Sequence, residues 1–324
     1  MMTVTEEFLC PKNFRRAWEK VAKKQGSAGI DGETISQFRR RVRGHLTQLR
    51  ESVANSTYQP QPCQQVRLPK GKGEWREIGI PTVRDRIVQQ ALLNVLQPRL
   101  DEVFSPASFA YRPNLSYLDA VEKVAGWRDL GLTWVLDGDI ASYFDSIDRQ
   151  RLIGELRKYL DETGILCLVK SLISVGVSTS EGIVDRDRGI PQGSVISPLL
   201  ANLYLHEFDR LFASSDVKLV RYADDFLILG RTRDRIISAL SEVRQFLAEI
   251  GLELHPQKTQ ITNFDRGFRF LGHAFLENAI FPAEPSSDKV KSGSKKCNKK
   301  AERQSRKYQK KKKSMGRNRR WQIF

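Results

Sequence analysis

The sequence predicts an α+β fold on three observations. Apolar residues recur at helical spacing in several long segments, and short runs rich in β-branched and aromatic residues read as strands. The two kinds of segment interleave without the regular strand–helix–strand spacing of a doubly wound sheet. In chain order, residues up to about Lys12 read as a flexible lead. Residues 85–104 (DRIVQQALLNVLQPRLDEVF) place Ile87, Ala91, Leu92, Val95 and Leu96 on one helix face. Residues 133–140 (TWVLDGDI) read as a strand and 149–162 (RQRLIGELRKYLDE) as a helix. The runs VKLVRY (217–222) and FLILG (226–230) are strands, and 233–251 is a helix closed by Gly251. TQITNF (259–264) and FRFLGHAF (268–275) complete the strands, and no internal repeat is evident.

The 324 residues carry 54 Lys+Arg against 38 Asp+Glu, a formal net charge of +16. That excess points to a polyanionic partner, either nucleic acid or an anionic membrane surface. Its distribution says more. Residues 1–100 hold 18 cations and 9 acids, residues 101–288 hold 20 and 28, and residues 289–324 hold 16 and 1. A protein that merely coats nucleic acid has no need of an acidic middle, whereas an enzyme holding divalent cations beside a polyanion does. Between Lys289 and Arg320 aliphatic residues nearly vanish, so this tail cannot bury enough surface to fold alone. The start lacks the basic-then-apolar run of a secretory signal and no stretch approaches 18 apolar residues, so no membrane partner is expected. Cys10, Cys63, Cys167 and Cys297 form no C-x-x-C pair, and His45, His206, His255 and His273 lack ligand spacing. A reduced, cytoplasmic setting is expected.

The strongest local pattern is acidic. Two strand-like runs flank the turn Tyr222-Ala223-Asp224-Asp225. Neighbouring side chains on an extended backbone point opposite ways, but a tight hairpin turn can bring both acids to one end of a sheet. Like charges this close resist ionising together unless a cation lies between them. A solvated Asp-Asp turn would look the same in isolation. A second acidic strand end carries Asp137 and Asp139 ahead of Tyr143-Phe144. If that strand lies beside the hairpin, Asp139 and Asp224 can share two Mg²⁺ ions about 4 Å apart, the arrangement of in-line phosphoryl transfer. Oxygen-only ligation suits Mg²⁺ and a site without His or Cys.

Taken together these residues resemble the reverse transcriptases, most closely those of bacterial group II introns. Tyr222-Ala223-Asp224-Asp225 is similar to their catalytic hairpin, and Asp139 with the following Ser-Tyr-Phe-Asp to their first catalytic block. Gly189-Ile190-Pro191-Gln192-Gly193-Ser194 through Leu205 resembles the block lining the nascent base pair. Leu68 to Gly73, Arg76 to Pro81 and Asp85 to Gln89 resemble the fingers; Gly29-Ile30-Asp31-Gly32 and Phe109-Ala110-Tyr111-Arg112-Pro113 match further blocks. Gly251 to Leu254 with Lys258-Thr259, and Phe270-Leu271-Gly272, match the last palm blocks. The resemblance covers about residues 25–276.

It implies a right-hand polymerase: a lead segment at 1–24, fingers at 25–130, a palm at 131–281 with an antiparallel sheet, and a basic tail at 282–324 in place of a full thumb. Asp139, Asp224 and Asp225, with the backbone carbonyl of Ile140, would hold two Mg²⁺, with Mn²⁺ able to substitute. Asp137 and Asp145 read as surface or fold-supporting acids. Phe144 would lie under the sugar and exclude a 2′-hydroxyl, or else be a core aromatic. Gln192 and Gly193 would face the incoming nucleotide. Lys70, Lys72 and Arg76 would grip its triphosphate, although the family usually has Arg-Pro where this chain has Arg76-Glu77. Lys258 would protonate the leaving pyrophosphate, or else be a plain surface lysine. Phe270, Leu271, Gly272 and Arg112 would contact primer and template. The tail, with Tyr308 and Trp321, would hold template–primer by counterion release, unless it is a thumb remnant.

The expected activity is RNA-directed DNA polymerisation, with an RNA template, a DNA or RNA primer and dNTPs. The alternatives are an RNA-binding splicing helper acting on intron RNA or a truncated mobile-element protein with weak polymerase activity, and a reverse transcriptase accessory to CRISPR adaptation or phage-defence proteins.

Overall fold

The computed structural model describes residues 2–71 and 74–282, the side chains of 70, 71 and 74 excepted. Lys72, the Lys70 side chain and the basic tail with Tyr308 and Trp321 lie outside the described residues.

The expected flexible lead is folded. Helix α1 (Val4–Leu9) opens with a capping box between Thr3 and Glu6, and α2 (Pro11–Lys24) opens on a proline. Phe14, Ala17, Trp18 and Val21 recur every three or four residues along α2 and are buried. Two more helices, α3 (Ile35–Arg39) and α4 (Val42–Ala54), precede strands β1 (Cys63–Gly71) and β2 (Glu74–Ile80). The long α5 (Val83–Val103) then receives α1 and α2. Ile87, Ala91, Leu92, Val95 and Leu96 are buried as expected, but so are Asp85, Gln89 and Gln90. Asp85 is covered because its carboxylate accepts from the hydroxyls of Thr82 and Tyr58, closing the start of the helix.

The chain continues through α6 (Tyr117–Asp129), β3 (Trp134–Asp139), α7 (Tyr143–Ser146), α8 (Arg149–Arg157) and α9 (Thr163–Ile173). Strands β4 (Val177–Thr179) and β5 (Gly182–Val184) lead to α10 (Ser197–Tyr204) and α11 (His206–Arg210). Then come β6 (Lys218–Tyr222), β7 (Asp225–Gly230), α12 (Arg233–Glu249), β8 (Gln260–Asn263), β9 (Phe268–Phe270), β10 (His273–Leu276) and β11 (Ala279–Pro282). Gly251, at φ +72°, follows α12 as the sequence predicts.

Among the described residues three sheets form, in strand orders β2-β1-β4-β5, β6-β7-β3-β8 and β11-β10-β9. The second is wholly antiparallel. Leu136, Phe226 and Ile228 point into one hydrophobic cluster, and Val135, Leu227 and Leu229 into another on the opposite face. Both faces are covered, so β7 is a continuous apolar run rather than an alternating one.

Gly138 sits opposite Phe226 in the β3–β7 ladder. A methyl group there would overlap the Phe226 ring. Substituting Gly138→Ala should therefore cost about 1–3 kcal/mol as an overpacking change. Urea unfolding of the two proteins checks this; an unchanged midpoint would show that the ring yields freely.

Candidate active site

Strand register assembles the acids. In the β3–β7 ladder Asp139 pairs with Asp225, and in the β6–β7 hairpin Tyr222 pairs with Asp225 across a turn of Ala223 and Asp224. Residues two apart and residues directly opposite share a face, so Asp137, Asp139 and Asp225 leave the sheet on one side, at one end. Asp224 is carried by the turn, which is pinned by a 3.1 Å hydrogen bond from the Ile140 N–H to the Asp224 carbonyl. Ala223 holds φ +62°, a left-handed backbone that costs a residue with a β-carbon of order 1 kcal/mol or more.

The acids repel one another. Burial, then the charges of Asp137, Asp139 and Asp224, push the Asp225 carboxyl up to about 7. Burial and the charge of Asp139 also raise Asp224 and Asp137. Lys258 opposes this: its Nζ donates to both oxygens of Asp139, at 2.9 and 3.1 Å. The sequence left Lys258 open between a site residue and a surface lysine; its ammonium sits among the acids. Gln260, opposite Asp137 in the β3–β8 ladder, donates to its carboxylate at 3.1 Å, a cross-strand bond that supports the sheet, and the Asp137 charge also bears on Asp225.

Behind the turn lies an arginine that sequence reasoning missed. Arg221 and Asp209 are both fully buried and form a two-point ion pair at 2.5 and 2.6 Å. The same guanidinium donates to Asn202 Oδ1, to Ser108 Oγ and to the carbonyl of Ala223 in the turn itself, at 3.1, 2.8 and 2.9 Å. The Arg221 backbone pairs with the 107–109 segment through two further hydrogen bonds. A charged residue inside the strand pattern VKLVRY was the available signal, since a buried arginine must have an acid beside it.

The residues expected at the nucleotide fall into three groups. Phe144 is half-buried on α7, edge-on to Tyr143 at 5.5 Å. Gln192 donates through Nε2 to Asp145 at 3.1 Å. Gly193, at φ +108°, meets the chain's own backbone: a β-carbon there would overlap the Gly79 carbonyl, and Gly79 N–H donates to the Gln192 carbonyl at 2.7 Å. The close approach expected of Gly193 toward a substrate is thus an approach to β2. Arg76 is exposed and close enough to lower the charge cost at Asp224. Glu77, the departure from the family pattern, pairs with Arg67 at 3.3 Å and faces Arg186 at 3.9 Å.

Two expectations need correction. Arg112 is not available to template: it donates to the Asp101 carboxylate at 2.7 Å and to the carbonyls of Asp101, Ser105 and Ser108. Phe270 turns into the core with Phe264, Phe268 and Phe275. Of the other residues expected at the primer, Leu271 and Gly272 stand at positive φ in the β9–β10 turn, and Gly272 faces open space. Tyr117 stands beside that turn, 5.9 Å from the His273 ring, and Tyr111 beside the catalytic-type hairpin feels the charge of Asp224.

Among the described residues no three acidic, histidine or cysteine side chains close on a single point as ready ligands. The donor set nevertheless suits a hard dication: all its atoms are carboxylate or carbonyl oxygens, and their mutual repulsion is relieved by positive charge. No helix among the described residues is long and apolar enough to cross a membrane.

Known proteins are similar to this chain. The family model described as "Reverse transcriptase (RNA-dependent DNA polymerase)" matches residues 68–275. The chain is 32% identical over 287 residues to Protein YkfC of Escherichia coli, an alignment covering 76% of this chain and 75% of that one. It is 29% identical over 217 residues to the group II intron-encoded protein LtrA of Lactococcus lactis, covering 66% and 35%. The chain therefore spans about a third of that relative. Among solved structures, apo telomerase from Candida tropicalis shares the fold, with a TM-score of 0.56 at 15% identity over 77% of this chain and 54% of that one.

The raised Asp225 has a measurable consequence. Its folded value of about 7 lies above the ordinary carboxylate range. Between pH 4 and 7 the unfolded chain releases this proton while the folded chain keeps it, so stability is present at low pH and lost as pH rises. With chelator present, the loss attributable to Asp225 should be on the order of 3 kcal/mol. Asp225→Asn should flatten the urea-unfolding profile across that window; parallel profiles would refute the shift.

Proposed function

This chain belongs to the reverse transcriptase family, and we propose on that premise that it extends a DNA or RNA primer on an RNA template, using dNTPs. One observation carries the proposal: strand pairing converges Asp139, Asp224 and Asp225 at the open end of one antiparallel sheet. Asp139, Asp224 and Asp225, with the Ile140 carbonyl, would hold two Mg²⁺ or Mn²⁺ ions. Bound there, such ions stabilise the charge on the attacking and leaving oxygens of an in-line displacement.

The chain's own residues supply the rest. Arg76 offers its exposed guanidinium to the triphosphate, with Lys70 and Lys72 close to it in sequence. Phe144 presents a half-buried ring where a 2′-hydroxyl would collide. Gln192 and the exposed Gly193 border the nucleotide, and Lys258 carries a proton that it gives to the leaving pyrophosphate. The Leu271–Gly272 turn offers backbone to the primer, and the tail at 289–324 would add affinity blind to sequence. The domain division into fingers at 25–130 and palm at 131–281 fits this use. A second role, binding intron RNA as a splicing helper, has behind it only the likeness to a relative encoded by a group II intron.

Purified protein on a primed RNA template with dNTPs and Mg²⁺ should extend the primer. Asp224→Ala/Asp225→Ala should lose about a thousandfold or more in rate, as expected when charge stabilisation in the transition state is removed. Absence of wild-type extension across a range of salt would leave only RNA binding. In single-nucleotide extension, Phe144→Ala should admit ribonucleotides; unaltered discrimination would sink the gating role of that ring.

A further inference from the structure

Asp145, read from sequence as a surface or fold-supporting acid, occupies a particular position between the two residues assigned to nucleotide selection. It follows Phe144 on α7. Its Oδ2 accepts from Gln192 Nε2 at 3.1 Å, and its Oδ1 accepts from Arg186 Nη1 at 2.6 Å. The backbones on either side are joined as well: Ile190 N–H donates to the Phe144 carbonyl and Gly189 N–H to the Ile147 carbonyl, each at 2.8 Å. Gly189, at φ +83°, lies so close to the Asp145 backbone that no β-carbon would fit. Residues 144–147 and 189–192 therefore form one ledge.

A side-chain amide has a donor end and an acceptor end. An ionised carboxylate only accepts, so Asp145 selects the N–H₂ end of Gln192 and turns its Oε1 away. That oxygen is left as an acceptor for a hydroxyl or amine on a bound nucleotide. Arg186 holds the Asp145 carboxylate in place through its 2.6 Å ion pair, and reaches in turn toward Glu77 on β2. Asp145 is itself exposed, and a solvent-facing ion pair adds little to folding stability. Holding Gln192 is thus separable from holding the fold.

We propose that Asp145 is a positioning residue for the incoming nucleotide: it orients the Gln192 amide and ties it to the segment that carries Phe144. This rests on the polymerase assignment above. Steady-state single-nucleotide extension on primed RNA tests it with Asp145→Asn, Asp145→Glu, Gln192→Ala and the Asp145→Asn/Gln192→Ala pair. Asp145→Asn should raise KM for dNTP about fivefold or more while kcat stays within about threefold, the signature of lost ground-state binding. Its melting temperature and its Kd for primer–template should match the wild type. Asp145→Glu, which keeps a carboxylate, should recover part of the loss. Because Asp145 acts through Gln192, the double variant should be no worse than Gln192→Ala alone.

An unchanged KM in Asp145→Asn, losses that multiply in the double variant, or a fall in melting temperature that accounts for the loss would each overturn the proposal. A wild type that extends primers while Asp145→Asn behaves identically defeats this inference alone. A wild type that never extends removes the polymerase assignment and this inference with it.

Discussion

The guanidinium of Arg221 lies out of solvent directly before the turn that carries Asp224, and the placement of that turn depends on it. Asp209 on α11, Asn202 on α10, Ser108 in the loop before α6 and the Ala223 carbonyl all converge on this one group. A buried ion pair adds little net stability over a well-packed apolar core, yet leaving either charge alone costs about 3–5 kcal/mol. The pair therefore penalises every arrangement in which α11, the 105–111 loop and the hairpin are displaced from one another. Asn202 extends the same network by donating to the Ala110 carbonyl at 2.7 Å.

That rigidity meets an opposing tension on the other side of the turn. Several acids are brought to one sheet end, where burial and repulsion raise Asp137, Asp224 and Asp225. Lys258 relieves part of it by lying against Asp139. Backbone strain gathers in the same loops, with Tyr111, Ser142 and Ala223 at positive φ near the acids and Leu271 in the β9–β10 turn. Residues held this way persist where the surroundings over-determine them. The buried Arg221 network and the two hydrophobic clusters flanking β3 and β7 supply that support. A protein selected only to be stable has no physical reason to assemble such a site.

Much of this was legible in the sequence. The strand-like runs TWVLDGDI and FLILG specify strands whose acids end up at one edge, because side-chain direction along a strand has period two. The helix at 233–251 and its glycine stop follow from spacing and capping alone. The folded start was less legible: charged residues between Phe14, Ala17, Trp18 and Val21 mask a helical period that becomes evident once α5 is seen to cover it. Phe270 and Arg112 were misassigned for one shared reason. A residue type suited to binding nucleic acid is equally suited to filling a core or closing a loop, and only its partners distinguish the two uses.

The sequence by itself determined which residues are strands, that Asp139, Asp224 and Asp225 stand at strand ends, and that the chain resembles a polymerase. Those properties are local, set by side-chain period and turn chemistry over a few residues. Tertiary structure alone decided that Asp139 faces Asp225, that Lys258 touches Asp139 from 119 positions away, and that Gln192 rests on Asp145. It also decided that Gly193 admits β2 and that Arg221 meets an acid twelve positions earlier. These pairings depend on ladder register and on the desolvation of specific charges. Both are set by which distant segments share a core, and neither leaves a mark in the spacing of neighbouring residues.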